Sequence, residues 1–172
     1  MNRRGTRDGA SPSSEETFQK AVKLFQDGRL KQAEALFGKL LKSSGDNPDI
    51  LHMLALVAFE TNRPDAAQSH LERAVCLKPE AARLHALLGL ARKQAGQVDA
   101  AEVAYRQAIA LNPSDADAHY NLAILYADQG CNEDAIEHYR TAARLEPDFP
   151  DAHYNLGLAL KAMGRFEDAV DA

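Results

Sequence analysis

Three equally spaced histidines are the first residues whose type and spacing could do chemistry. His85, His119 and His153 follow one another at a constant interval, and imidazoles are common ligands of zinc and other transition metals. If they occupy equal positions in stacked structural units, however, their rings lie about one helix diameter apart, roughly 10 Å. One metal ion cannot bind ligands so far apart, because zinc–nitrogen bonds are only about 2 Å long. We therefore interpret the histidines as packing residues, and predict no metal site and no cofactor.

Neighbouring carboxylates could perform general acid–base catalysis. They occur at Glu15–Glu16, at Glu133–Asp134 and at Glu146 with Asp148. All three sit where a helix or turn is expected to begin, and the helix dipole favours acidic side chains there. The sequence has no Gly-rich phosphate loop, nucleophile elbow or H-E-x-x-H motif. We therefore predict that this chain is not an enzyme.

The hexapeptide DAHYNL occurs at Asp117–Leu122 and again at Asp151–Leu156, and places a tyrosine beside an asparagine each time. An asparagine amide can donate and accept hydrogen bonds towards a peptide backbone. A tyrosine offers rigid apolar area with a polar tip. Each copy contains one of the histidines, so the two copies are separated by the same interval as His119 and His153. The structural elements that contain these copies must therefore also recur at that interval.

A period of about 34 residues extends through nearly the whole chain. In this phase the alanines are Ala33, Ala67, Ala101, Ala135 and Ala169, the prolines Pro79, Pro113 and Pro147, and the turn residues Gly28, Asn62, Gly96, Gly130 and Gly164. Glycine readily adopts the left-handed conformation that ends a helix, and proline prevents a helix from continuing. Recurrent alanines suit places where two helices cross closely. Each unit therefore predicts two amphipathic helices.

A single helical hairpin cannot bury its apolar stripe, so the units are expected to stack into a solenoid. Strand signals are absent, and the predicted fold is all-α. We assign four full units and one partial unit to residues 15–48, 48–81, 82–115, 116–149 and 150–172. Residues 1–14 are small and polar, and we predict a disordered tail. Because the sequence stops within a second helix without a polar cap, we expect a longer protein.

The repeated positions resemble the tetratricopeptide repeat, with its pattern W-x2-L-G-x2-Y…A-x3-F…P. The fourth unit matches with His119, Leu122, Ala123, Tyr126, Ala135, Tyr139, Ala142 and Pro147, and the third with His85, Leu88, Gly89, Arg92, Ala101, Tyr105, Ala108 and Pro113. Histidine or leucine replaces the tryptophan, and the first unit departs at Lys20 and Gly45. The resemblance implies a right-handed α-solenoid of antiparallel helix pairs that binds a protein or peptide ligand in its concave groove.

In this family, one stripe of each first helix lines that groove. The resemblance assigns the peptide-binding groove to His52, Arg83, Leu90, Lys93, Tyr120, Asn121, Ile124, Tyr154, Asn155, Leu158 and Lys161. The cations Arg83, Lys93 and Lys161 favour an acidic or carboxylate ligand, and this expectation is weakened by Asp117, Asp128 and Asp151.

Two groove types of the family can be compared with this sequence. The carboxylate clamp of chaperone-binding members is absent, because Phe18 and Val22 stand where lysine and asparagine are needed. Asn121 and Asn155 instead make the fourth and fifth units similar to the asparagine ladder in the arm of O-linked N-acetylglucosamine transferase-like proteins. Met53 and Leu87 depart from that ladder.

Charge and apolar content limit the partners. The net charge is −5, and residues 1–14 carry three arginines against one aspartate, so the rest carries −7. An acidic body argues against nucleic acid, and the longest apolar run, residues 53–59, is too short to span a membrane. The two cysteines, Cys76 and Cys131, are far apart in the sequence and fit reduced thiols in a cytoplasmic protein.

Three functions stay open at this point. The leading prediction is a protein–protein interaction scaffold that binds a peptide segment. The alternative is the N-terminal arm of a glycosyltransferase or sulfotransferase whose catalytic domain lies outside this chain. The third is self-association through the uncapped C-terminal helix.

Overall fold

The computed structural model describes residues 13–170, apart from the side chain of Val170. Within these residues the chain forms ten α-helices and no strand. They are α1 (Ser14–Gln26), α2 (Leu30–Ser44), α3 (Pro48–Glu60), α4 (Pro64–Leu77), α5 (Ala82–Gln94), α6 (Val98–Leu111), α7 (Ala116–Asp128), α8 (Asn132–Leu145), α9 (Pro150–Ala162) and α10 (Phe166–Val170).

The helices pack in consecutive pairs. Each odd-numbered helix packs against the even-numbered helix that follows it, and each even-numbered helix packs against the first helix of the next pair. The odd-numbered helices begin at equal intervals, at Ser14, Pro48, Ala82, Ala116 and Pro150. The predicted all-α solenoid of helix pairs is confirmed.

Three-residue turns join the two helices of each pair, and their middle residues explain the recurrent glycines. Gly28, Asn62, Gly96, Gly130 and Gly164 have φ values of 71°, 54°, 74°, 77° and 72°. In the fourth turn, the N–H of Cys131 donates to the carbonyl of Tyr126 at 2.9 Å, five residues back. This bond can close the helix end only when Gly130, the residue before Cys131, adopts the left-handed conformation that glycine tolerates best.

The first helix begins with a capping box. The Ser13 hydroxyl accepts from the Glu16 N–H at 3.1 Å, and the Glu16 carboxylate accepts from the Ser13 N–H at 2.8 Å. Two of the otherwise unpaired donors at the helix start are thereby satisfied. The helix starts at Ser14, one residue before the predicted unit boundary. The rest of the predicted tail, residues 1–12, lies outside the described residues.

Small residues sit where the helices cross. Ala33, Ala67, Ala101 and Ala135 are completely buried. Ala142 of α8 packs with Ala152 of α9, so it joins the fourth unit to the fifth as predicted. A Cβ atom at Gly89 would lie 2.7 Å from the Tyr105 ring, closer than real contacts allow. Larger side chains at these places would force the helices apart.

The equally spaced histidines link each helix pair to the one before it. The Nε2 atoms of His85, His119 and His153 lie 2.8, 3.2 and 3.0 Å from the carbonyl oxygens of Pro79, Pro113 and Pro147. A carbonyl only accepts, so each Nε2–H donates. His119 is buried against His138 of its partner helix, as predicted, whereas His85 and His153 are half-buried. All three also make a polar link between units that the sequence pattern did not indicate.

Candidate functional site

Two clefts lie between successive odd-numbered helices. The α5/α7 cleft encloses about 550 Å³. Its lining consists of Ala82, Arg83, Ala86, Leu87, Leu90, Asn112, Asp115, Asp117 and Asn121. The α7/α9 cleft encloses about 340 Å³. Its lining consists of Ile124, Ala127, Asp128, Asn132, Tyr139, Asn155, Leu158, Ala159 and Ala162.

The structure brings six of the predicted groove residues into these two clefts. Arg83, Leu90 and Asn121 line the α5/α7 cleft. Ile124, Asn155 and Leu158 line the α7/α9 cleft. Each cleft thus combines an asparagine amide with aliphatic side chains, one repeat apart.

The two tyrosines of the DAHYNL copies have different surroundings. Tyr154 is 67% exposed. Tyr120 is half-buried: its ring lies 4.8 Å from the Phe149 ring and 5.8 Å from the Tyr139 ring. Burial raises the pKa of the Tyr120 hydroxyl, and the Asp151 carboxylate adds to the increase. Tyr120 is therefore packed against α8 and the start of α9, whereas Tyr154 is on the surface, and neither lines the two clefts.

Asn155 connects the fourth and fifth units. Its Nδ2 atom donates to the Tyr120 hydroxyl at 2.9 Å. An asparagine side chain has a second N–H and a carbonyl oxygen, so one bond does not exhaust its capacity. Asn155 therefore holds Tyr120 in place and keeps its second N–H and its carbonyl oxygen free.

Lys93 forms an ion pair between α5 and α7. Its Nζ lies 2.8 Å from the Asp128 carboxylate. The lysine therefore has its counter-charge within the protein. The expectation that Lys93 favours an acidic ligand is correspondingly weaker, because Asp128 already satisfies it.

The remaining predicted groove residues are His52, on α3, and Lys161, which is exposed near the end of α9. His52 is half-buried, and its Nε2 atom has no hydrogen-bond partner among the described residues. Burial lowers the pKa of His52, and the nearby Arg83 guanidinium lowers it further. Both effects favour the neutral form of the ring, and His52 lines neither of the two clefts.

Three polar residues of the clefts were missed by the sequence analysis: Asn112, Asp115 and Asn132. Asn112 and Asp115 lie between α6 and α7, and Asn132 begins α8. The groove stripe runs along first helices only, so it could not include them. For Asn112 and Asp115 the signal in the sequence is their position after a second helix, since the loop there leads directly to the next first helix. Asn132 has no comparable signal.

Two negative findings concern the described residues only. In residues 13–170, no group of three or more histidine, cysteine, aspartate or glutamate side chains could hold a metal ion. None of the helices in this range has the length and apolar character to cross a membrane. Cys76 and Cys131 are free thiols on the surface.

Comparisons with known proteins identify the repeat and the fold. The sequence profile described as "Tetratricopeptide repeat" matches residues 24–91, and the profile described as "TPR repeat" matches residues 89–130 and 125–164. Among curated sequences, no protein matches the chain.

Solved structures with the same fold include MamA and YrrB. A crystal structure of MamA has a TM-score of 0.81 and 30% identity, with 88% of each chain covered. MamA from Desulfovibrio magneticus RS-1 has a TM-score of 0.83 at 18% identity, covering 92% of this chain and 89% of that one.

YrrB has a TM-score of 0.75 at 25% identity, covering 83% of this chain and 74% of its own. It is described as a TPR protein with an unusual peptide-binding site. The similarity of the fourth and fifth units to glycosyltransferase arms is not tested by these matches and stays a prediction.

Proposed function

This chain belongs to the tetratricopeptide repeat family, and from that premise we propose that it is an interaction scaffold that binds a peptide segment along its two clefts. The observation that carries the proposal is the placement of Asn121 and Asn155 in successive clefts. No catalytic step is proposed for this chain.

The asparagine amides suit an extended peptide backbone. Asn121 makes no side-chain hydrogen bond with the described residues, so its donors and its acceptor are available. Asn155 retains one N–H and its carbonyl oxygen after bonding to Tyr120. A peptide backbone offers one donor and one acceptor per residue. A ligand lying along the groove can therefore meet an amide in each cleft.

The aliphatic side chains beside the amides add apolar contact. Leu90, Ile124 and Leu158 occupy equivalent positions in successive units, on α5, α7 and α9. Leu158 is 48% exposed, so a ligand can remove much of its surface from water. YrrB, a chain of the same fold, is described as having a peptide-binding site, which supports the proposal by analogy.

The experiment compares peptide capture by four proteins. An array of random dodecapeptides is probed with wild type, an Asn121→Ala/Asn155→Ala double variant, Tyr120→Phe and Gln107→Ala. Gln107 is an exposed amide on α6 and serves as the matched control. Tyr120→Phe removes the internal bond but leaves the Asn155 amide in place.

Loss of two hydrogen bonds should weaken capture by the double variant by about 1–3 kcal/mol, while Gln107→Ala should bind as wild type does. Circular dichroism confirms folding, and sedimentation velocity distinguishes ligand binding from self-association. If the double variant captures the same peptides with unchanged affinity, these asparagines do not form the site.

A further inference from the structure

We propose that the peptide ligand carries a lysine or arginine and an aliphatic residue four or five positions apart, the cation in the α5/α7 cleft and the aliphatic side chain in the α7/α9 cleft. This inference rests on the proposed groove function and specifies its ligand.

The α5/α7 cleft has one apolar wall and one polar wall. Ala86, Leu87 and Leu90 of α5 form the apolar side. The opposite side presents Asn112, Asp115, Asp117 and Asn121. Lysine and arginine side chains have the same division, because an apolar stem carries a charged head. The stem would lie on the leucines, with the head at the carboxylates.

The two carboxylates differ in what they already bind. Asp115 accepts the N–H of Ala118 at 3.0 Å as the cap of α7. Asp117 is exposed, and the described residues give it no ion pair and no hydrogen bond. An unpaired carboxylate at the edge of a cleft is available to a cationic head group. Asp117 is therefore the residue that we expect to select the cation.

Arg83 is the cation that opposes this assignment. It lines the same cleft, on the α5 side. Two carboxylates against one guanidinium leave the cleft with one net negative charge. Lys93 adds no uncompensated positive charge because Asp128 pairs with it at 2.8 Å. The balance disfavours an acidic side chain and favours a basic one.

The α7/α9 cleft provides an apolar site. Ile124, Ala127, Leu158 and Ala162 line it. Its one charged lining residue is Asp128, which is paired with Lys93. A charged ligand side chain would find no free partner there and would lose its hydration. An aliphatic side chain instead covers exposed Leu158.

The distance between the clefts sets the spacing of the two ligand residues. Neighbouring packed helices lie roughly 10 Å apart, and an extended chain advances about 3.3 Å per residue. The clefts are also offset along the helices, because Asp117 is near the start of α7 whereas Leu158 is equivalent to Ile124, seven residues further along. Seven residues of helix rise about 10 Å. The two offsets together amount to about 14 Å, so four or five residues of extended peptide reach from one cleft to the next.

The test is an array of octapeptides in a Gly/Ser background. Two positions, four residues apart in one set and five in the other, are varied independently through all twenty amino acids. The array is probed with wild type, Asp117→Lys, Leu158→Asp and Asp99→Lys. Asp99 is an exposed aspartate in the first turn of α6, so its replacement makes the same charge change away from both clefts.

Wild type and Asp99→Lys should prefer Lys or Arg at one position and Leu, Ile or Met at the other. Asp117→Lys should weaken capture of the basic peptides by about five- to tenfold and favour Glu or Asp at the first position. Leu158→Asp should abolish the aliphatic preference and leave the cation preference in place.

Three results would overturn the inference. A wild-type preference for acidic peptides, or basic peptides captured equally by Asp117→Lys, contradicts the ligand chemistry. If the peptides that wild type captures in either case are not captured by the Asn121→Ala/Asn155→Ala variant, groove binding stands and only this inference fails. Capture of no peptide at all contradicts both.

Discussion

The Nδ1 atoms of His119 and His138 lie 3.0 Å apart, joining α7 to α8. One ring must donate and the other accept. The Nε2–H of His119 donates a hydrogen bond to the Pro113 carbonyl. In a neutral His119 ring, Nδ1 is then the acceptor, and His138 donates from its own Nδ1. His138 also stacks on the Tyr126 ring with centroids 5.7 Å apart. The hydrogen bonds thus fix the tautomers of both histidines.

Acidification should destabilise the protein. Burial is the largest cause that lowers the pKa of His138, His52 and His70 below 6.5, and His119 lowers that of His138 further. The unfolded chain therefore binds more protons than the folded one. The stability is fully present above about pH 6.5 and is lost as the pH falls through the lowered folded-state pKa values.

Urea unfolding at about pH 7.5 and about pH 5 measures this loss. His138→Asn keeps a side-chain N–H donor but cannot titrate, so its free energy of unfolding should fall less on acidification. A loss equal to that of wild type would contradict a role for His138.

Two tyrosines should respond oppositely to loss of their hydroxyl. The Tyr105 hydroxyl is buried and has no hydrogen-bond partner among the described residues, and burial raises its pKa. Tyr105→Phe should be neutral or stabilising by up to about 1 kcal/mol. The Tyr126 hydroxyl donates to Glu102 at 3.2 Å and accepts from Arg106 at 2.8 Å. Tyr126→Phe should cost about 0.5–1.5 kcal/mol. Equal effects in urea melts would contradict this assignment.

Two helical glycines form a second matched pair. A Cβ at Gly89 would meet the Tyr105 ring at 2.7 Å, whereas one at Gly38 would meet nothing within 4 Å. Gly38→Ala should stabilise α2 by about 0.5–1 kcal/mol, since alanine is the better helix former. Gly89→Ala gains the same propensity but forces the ring to move, so a net loss of about 1–3 kcal/mol is expected. Thermal melts that rank the two variants in the opposite order would contradict the packing.

In the turn between α3 and α4, the position that is glycine in the other repeats is occupied by Asn62. Asn62 has a φ of 54°, a region where side chains cost energy. Asn62→Gly should therefore stabilise by a few tenths of a kcal/mol to about 1 kcal/mol, and Gly96→Ala should destabilise by about 1 kcal/mol. Chemical unfolding of both variants tests the pair. A destabilised Asn62→Gly would mean that the asparagine side chain has its own role.

The sequence predicted the elements but not every contact between them. Glycine turns, prolines and buried alanines were predictable because local conformation and close helix crossing restrict the residue at each such place. The identical hexapeptides show the limit. Tyr120 is half-buried because Phe149, which directly precedes α9, and Asn155 of the fifth unit cover it, whereas Tyr154 is exposed. The His119–His138 bond was equally hidden, because the position equivalent to His138 one unit earlier is Ala104.

The bond from Asn155 to the Tyr120 hydroxyl, 2.9 Å long, allows the structural and the binding roles of this asparagine to be separated. Tyr120→Phe removes the bond and leaves the amide, whereas Asn155→Ala removes both. Each variant should lose about 0.5–1.5 kcal/mol of stability, and the double variant little more, because they break one shared bond. The two single variants should differ in peptide capture. Tyr120→Phe should bind at least as well as wild type, since Asn155 gains a free N–H, whereas Asn155→Ala should bind more weakly. Fluorescence anisotropy with a captured peptide, beside urea melts of the four proteins, measures both effects. Equal binding by the two single variants would leave Asn155 with a structural role alone.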